Sequence, residues 1–512
     1  MAEVINKASA LTRLNQAWPD AGRTAATYGA AALASILAGV ISATGKLGIM
    51  AIFIGLIVGI TVVSSRKALL WFVIVGGLVI VGAAQLYLPG SKYIRYIVPL
   101  ATYVLVFHGT MNYIGRRTAP NPHSIPAPIP WAITFIAITI ISAIINMSDI
   151  GVAFMGMKGY FQMWALFFGL ILIKWRPEII NSIPKGILLI AFLQIPFVLH
   201  QYFVLVPKRV GMGSGIVAVD VVAGTFGATI YGGGANAVLA AFMMIVVACI
   251  VALWKNGALS TTRTVCMSLL FLAPVFVNEA KISILYLPLI FIVIFYKEIL
   301  KKPIKFLISG LAMVGILAAL MTAQTLTQQS GKLQTWTDLI NFTIERQTAS
   351  TSERQGQFSE LSRLTSLTFW GKEHISANPI YAFIGHGPGA SRVQDGGLDL
   401  ASTLAEQHYS GLQIGYTALS ALLWDTGILG LVAVLGLFIS AFRTASWLSH
   451  YYRHKDIFKA GIFDGLRAGM AVLLLSLAHK DFFAFHFPYQ TLVILLIGFL
   501  VASRLQISQS SN

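Results

Sequence analysis

Apolar runs close to the length that crosses a hydrocarbon layer recur along this chain. They lie at 27–44, 47–64, 68–87, 93–113, 129–147, 158–174, 185–206, 235–254, 264–277, 282–298, 305–325, 427–443, 466–480 and 487–503. A helical crossing needs about 20 apolar residues, and within lipid the backbone satisfies its own polar groups only as a helix or a closed barrel. Repetition of such runs selects an all-α polytopic membrane protein. Because several runs are short, roughly 12 to 14 transmembrane helices are expected. Composition agrees: 56% of the 512 residues are hydrophobic and 11% are charged, more apolar surface than one soluble core uses.

Charge then orients the spans. A net charge of +17 in a soluble chain would point to nucleic acid. Here the basic residues punctuate apolar runs and no nucleic-acid-binding motif accompanies them, so no nucleic acid partner is expected. If the N-terminus lies in the cytoplasm and the loops alternate, the inner side collects most of the short-loop Lys and Arg, among them Arg66, Lys67, Arg116, Arg117, Lys174, Arg176, Lys301 and Lys302. This satisfies the positive-inside rule with both termini cytoplasmic. The opening stretch, MAEVINKASALTRLNQAWPDAGR, lacks the apolar core and small-residue cleavage site of a signal peptide, and is expected to remain as a lead-in. Cys249 and Cys266 lie inside apolar runs and specify neither a disulfide framework nor a metal site.

Three regions result: an N-terminal bundle of about eleven helices over 1–325, a long periplasmic loop over 326–415, and C-terminal helices over 416–512. A structureless loop of that length is unusual, so short helices and function are expected in it. Two smaller outer segments stand out, the glycine-rich Lys208 to Asn236 and AHKDFFAFHF, Ala478 to Phe487. No internal repeat is evident, so the inverted-repeat signature of many transporters is lacking.

A synthetic reaction outside the cytoplasmic membrane has no nucleotide pool and needs a donor activated beforehand, for which lipid-linked pyrophosphate sugars are the usual bacterial solution. Such an anion calls for Arg or Lys at the outer water interface, where guanidinium groups bind phosphate oxygens and stabilise the departing diphosphate. The outer segments offer Lys208, Arg209, Lys281, Arg363 and Arg392, with Glu279 beside Lys281. The acceptor hydroxyl needs a base. Asp220, among small and apolar residues in VAVDVVAGTFG, is expected to be a desolvated carboxylate or, equally, a turn acceptor. His386 lies in GHGPG, where three glycines permit a tight path with exposed N–H groups. The run TFGATIYGGGAN is read either as backbone approaching an anion or as a plain loop. His408, His479, Lys480 and Asp481 are secondary candidates. No HxxxH or DxD spacing occurs in these outer segments, so a metal-independent site without cofactors is expected.

Three stretches carry a family likeness. In LSRLTSLTFWGKEHISANPIYAFIGHGPG, Arg363, Trp370, Pro379 and Gly385 to Gly389 fall in the order Arg, Trp, Pro, G-x-G-P-G. TALSALLWDTGILG, from Thr417 to Gly430, has Asp425 at an acidic position before GILG, and GTFGATIYGGGANAVLAAF precedes an apolar helix. Together with the general layout, these resemble the O-antigen polymerase and O-antigen ligase superfamily, the Wzy and WaaL type. The resemblance implies a GT-C-like glycosyltransferase. Its substrate would be an undecaprenyl-pyrophosphate-linked oligosaccharide in the membrane, and a flippase and a chain-length regulator would be partners in polysaccharide biosynthesis. Ligases usually carry a His-Asn pair where this chain has Tyr416 and Thr417, which favours a polymerase of O-antigen, capsule or exopolysaccharide over a ligase. Lys281 stands where the family has an Arg. A secondary transporter or flippase is a further alternative. It would require ionisable residues at mid-membrane, which most of the apolar runs do not hold.

Overall fold

A computed structural model describes residues 65–88, 94–114, 125–210, 218–230, 235–278, 280–302, 361–375, 378–393, 403–409 and 412–510, with a few isolated positions between them. The runs at 27–44 and 47–64, most of 305–325 and nearly all of 326–360 lie outside the described residues, as does Glu279. The chain divides into two compact units, Met1–Leu69 and Leu70–Asn512, and nearly all the described residues belong to the second.

The described residues form helices and no β-strand. In chain order they are α1 (Arg66–Tyr87), α2 (Ile94–Ile114), α3 (Pro128–Ile145), α4 (Ile150–Phe161), α5 (Trp164–Leu172), α6 (Pro177–Val210), α7 (Asn236–Lys255), α8 (Thr261–Val277) and α9 (Ser283–Lys301). After these come α10 (Arg363–His374), α11 (Pro379–Ile384), α12 (Leu404–His408), α13 (Ala418–Tyr452), α14 (Ile457–Ser476), α15 (Phe482–Phe485) and α16 (Phe487–Ser510). Among the described residues, eight helices are long and apolar enough to cross a membrane, namely α1, α2, α3, α6, α7, α9, α13 and α16. The helical class and the polytopic layout thus agree with the sequence.

Helix α7 is apolar around its whole circumference and is buried along nearly all its length, as expected of a central helix. It packs chiefly against α14, which in turn packs against α13 and α9. Gly461, Gly465 and Gly469, one per turn on α14, make that contact close: a Cβ on Gly465 would collide with the Cys249 backbone, and one on Gly461 would lie 2.9 Å from the Leu253 Cα. Small residues four apart let helix backbones approach where no hydrophobic force separates helix from lipid.

Two expectations are corrected. The run 158–174 is not one span but α4 and α5, roughly 18 and 14 Å long and each too short to cross. The Asp149 carboxylate accepts from the amides of Gly151 and Val152, which starts α4 well before the apolar run. The run 466–480 belongs to a helix that begins at Ile457, because Lys459 and Asp464 continue it and hydropathy alone stops short of them.

Candidate functional site

Helix α13 is broken at Gly427, whose φ of 65° and ψ of −168° leave the helical region. A break of this kind frees the carbonyls of the preceding turn. Here they are taken up by the GHGPG segment and α10. The Trp370 indole donates to Leu423 O (3.2 Å), His386 N to Trp424 O (2.8 Å) and Gly387 N to Asp425 O (3.0 Å). Ser142 Oγ from α3 also donates to Asp425 O at 3.0 Å. The cap is reciprocal. Fully buried Asp425 accepts from Ser391 N at 2.8 Å, from Gly389 N at 3.1 Å and from the Tyr160 hydroxyl at 3.0 Å. Gly385, Gly387 and Gly389 all have positive φ, and a Cβ on Gly385 would press on the Asp425 backbone. The glycine path therefore serves an anion, but that anion is the chain's own Asp425. The expectation of exposed N–H groups is corrected for His386, Gly387, Gly389 and Ser391, whose amides have internal partners.

His386 stands between Tyr381 and Trp424, with ring centroids at 4.4 and 5.8 Å. Its Nε2 lies 2.8 Å from Nε2 of His374, whose Nδ1 faces Trp370 O at 2.9 Å. A carbonyl only accepts, so His374 carries its proton on Nδ1, and His386 Nε2–H donates to His374 Nε2. The lone pair of His386 is thus on Nδ1. Burial, then the neighbouring His374 and His408, push His386 down to about 4, and burial lowers His374. Both rings are neutral at pH 7. Exposed His408 is an electrostatic neighbour of the pair.

The segment Leu477–Phe487 is where separate stretches meet. Arg363 Nε donates to His479 O at 2.7 Å, and its guanidinium lies 6.0 Å from the centre of the Tyr416 ring. Arg392 stands over Phe485 at 4.9 Å. Ala418 N and Leu419 N donate to the carbonyls of Lys480 and Leu477, which seats the start of α13 on the same segment. His486, held down to about 3 by burial, bonds the backbone of Phe226, six residues beyond Asp220. Lys480 is half-buried and electrostatically close to His486, and the Asp481 carbonyl opens α15. Below Arg363, the buried phenols of Tyr286 and Tyr489 share Ser476.

The glycine-rich segment is pinned by two buried glutamines of α6. Gln201 accepts from Ala223 N and Gly224 N and donates to Gly224 O, while Gln194 accepts from Thr225 N and bonds its hydroxyl. Thr225 Oγ1 reaches Leu78 O within a π-helical turn of α1. Irregular backbone survives in a membrane bundle only when protein groups satisfy it, and these glutamines do so. The amides of Ala223, Gly224 and Thr225 are thereby occupied internally; 231–234 lie outside the described residues. Asp220 is half-buried and accepts from Asn236 Nδ2 at 3.3 Å. Asn278 extends the chain by donating to Asn236 O at 3.0 Å. Arg209 is buried beside Asp220 and donates from Nη1 to Ala218 O, whereas Lys208 on the same turn is exposed. The Lys281 ammonium is buried at the turn before α9, five residues from Tyr286.

The structure thus gathers Arg363, Arg392, His479, Lys480 and Asp481 at one segment, and places Arg209 with Asp220 in a separate group. Asp425, Tyr160 and His374 were not singled out as site residues from sequence. The acid before GILG was the only available signal for Asp425. An ionic network was also missed: Asp464 pairs with Arg467 at 2.8 Å and with Lys255 at 4.0 Å, and Lys255 pairs with Glu298 at 3.3 Å. Lys255 and Arg467 further donate to the carbonyls of Ile294 and Val293, in the interior of α9. Acid and base balance within the network, which ties α7, α14 and α9 together. Neither a family model nor any curated protein sequence matches this chain.

Proposed function

We propose that this protein is a membrane glycosyltransferase that polymerises undecaprenyl-pyrophosphate-linked oligosaccharide units at the periplasmic face of the inner membrane. The observation that carries this reading is the approach of Arg363 and Arg392, from two different stretches, to one short segment that also bears His479, Lys480 and Asp481. Cations concentrated at a bundle end suit a diphosphate head whose lipid tail stays in the bilayer. In the reaction, an acceptor hydroxyl attacks the anomeric carbon, the bond to the diphosphate oxygen breaks, and configuration inverts. Arg363 and Arg392 stabilise the charge that grows on the leaving diphosphate. Asp220 and His386 are the candidate bases for the acceptor hydroxyl. Both termini are cytoplasmic in this reading, roughly 12 to 14 helices span the bilayer, and a flippase and a chain-length regulator work alongside.

The test is Arg363→Ala in a strain whose own copy is deleted, with surface glycan run on a gel and the protein quantified in the membrane. Loss of polymer with single repeat units remaining is expected. Unchanged polymer length at normal protein level would refute the assignment, and unattached lipid-linked polymer would instead identify a ligase. A secondary transporter is the second reading, favoured by the buried Asp464–Arg467 pair. The mutual compensation of that pair and its bonds to α9 suit a helix lock better than a path. Repeat units trapped on the inner leaflet would reverse that preference.

A further inference from the structure

A cavity of about 140 Å³ lies between α6, α7, α8, α14 and α16. Its walls are apolar side chains, among them Ile250, Leu253, Met267, Leu466 and Leu496, and Lys185 is the one charged residue among the described residues that line it. Apolar cavities of this size stay dry and accept a guest about as large as benzene. In a bilayer the available guest is a stretch of hydrocarbon chain. Phe458, Ile462 and Leu466 line it in the first turns of α14, whereas Arg363 bonds His479, just past the Ser476 end of that helix. The cavity therefore occupies the part of the bundle remote from the Arg363 segment, so a lipid whose diphosphate is gripped there cannot also place its head here.

We infer that this cavity, with Lys185 at its rim, binds an anionic phospholipid, a short stretch of one acyl chain inserted among the apolar walls and the phosphate on the lysine. Lys185 is exposed, and so is Arg263, one turn before Met267 on α8. By contrast, the Lys255 charge is already matched by Glu298 and Asp464. Basic pockets between membrane helices on the cytoplasmic side recognise anionic headgroups, and an ammonium gives a phosphate oxygen a charge-assisted hydrogen bond. The expected topology puts this face in the inner leaflet, where such lipids are the abundant anions.

The test is native mass spectrometry of the full chain in mild detergent, titrated with dioleoyl phosphatidylglycerol and, separately, dioleoyl phosphatidylcholine. One phosphatidylglycerol per chain is expected, retained at least about tenfold better than phosphatidylcholine, a difference of about 1.4 kcal/mol. Lys185→Glu should erase that preference, and Leu466→Trp, which fills the cavity, should abolish retention of both. Lys185→Glu changes an exposed residue and keeps the test decisive if the filled variant does not fold. Equal retention of the two lipids by the native chain, or a preference that survives Lys185→Glu, would overturn the inference. So would a polyisoprenyl phosphate co-purifying in place of phospholipid.

Discussion

Removing the Asp425 carboxylate should loosen the GHGPG segment specifically. The group is fully buried and accepts three hydrogen bonds, from Gly389 N, Ser391 N and the Tyr160 hydroxyl. Each buried donor left without a partner costs about 1–3 kcal/mol. Against this stands the desolvation of the buried carboxylate, which Asp425→Ala no longer requires. A net loss of about 3 kcal/mol remains, or roughly a hundredfold increase in local opening, since about 1.4 kcal/mol is tenfold. Hydrogen exchange followed by mass spectrometry, with the chain in lipid nanodiscs, reads this directly. Amides over 386–392 should exchange about a hundred times faster, while those of α7 hold their rates. Asp425→Asn should fall between, because one oxygen still accepts from Ser391 N but an amide NH₂ now faces the Gly389 N–H. Tyr160→Phe removes a donor and leaves the other two bonded, so about 1 kcal/mol, or fivefold, is expected. If Asp425→Ala left exchange over 386–392 within threefold of the native rate, the carboxylate would not be what holds the loop.

Acid should act on the same region through the histidine pair. The native state holds His386 at about 4, against 6.5 for the unperturbed side chain, so between those values the unfolded segment binds the proton more readily. The stabilisation is complete above pH 6.5 and is lost as pH falls toward 4, with about 2 kcal/mol gone by pH 5. Hydrogen exchange of 374–386 at pH 7 and pH 5, corrected for intrinsic rates, checks this, and His386→Phe should flatten the difference. Gly465→Ala should destabilise the bundle by about 1–3 kcal/mol, since its Cβ meets Cys249 backbone that cannot swing aside. Gly371→Ala should be neutral or stabilising, because its Cβ meets only Ile375 Cδ1 at 3.7 Å in a regular helix. Thermal unfolding in detergent separates the two glycine variants.

Hydropathy alone pointed to the helical class and located the eight long apolar helices among the described residues. Within lipid the backbone must bond to itself, and an apolar run such as 235–254 has no other way to do so. The punctuation of GHGPG was legible too, because three alternating glycines admit conformations that other residues resist. What those glycines face was not legible. Gly389 N reaches the carboxylate and Gly387 N the backbone carbonyl of Asp425, more than thirty residues away, and that carboxylate is held by Tyr160 from a helix that hydropathy merged with its neighbour. Likewise, nothing local to Lys255, Glu298 or Asp464 says that they meet. The convergence of Arg363, Arg392 and Leu477–Phe487, and the pairing of His374 with His386, belong to this second kind. Transfer of a side chain into lipid is a nearly additive property of each residue and can be read along a line. A hydrogen bond or an ion pair needs two groups within about 3–4 Å, and only the folded chain decides which distant residues come that close.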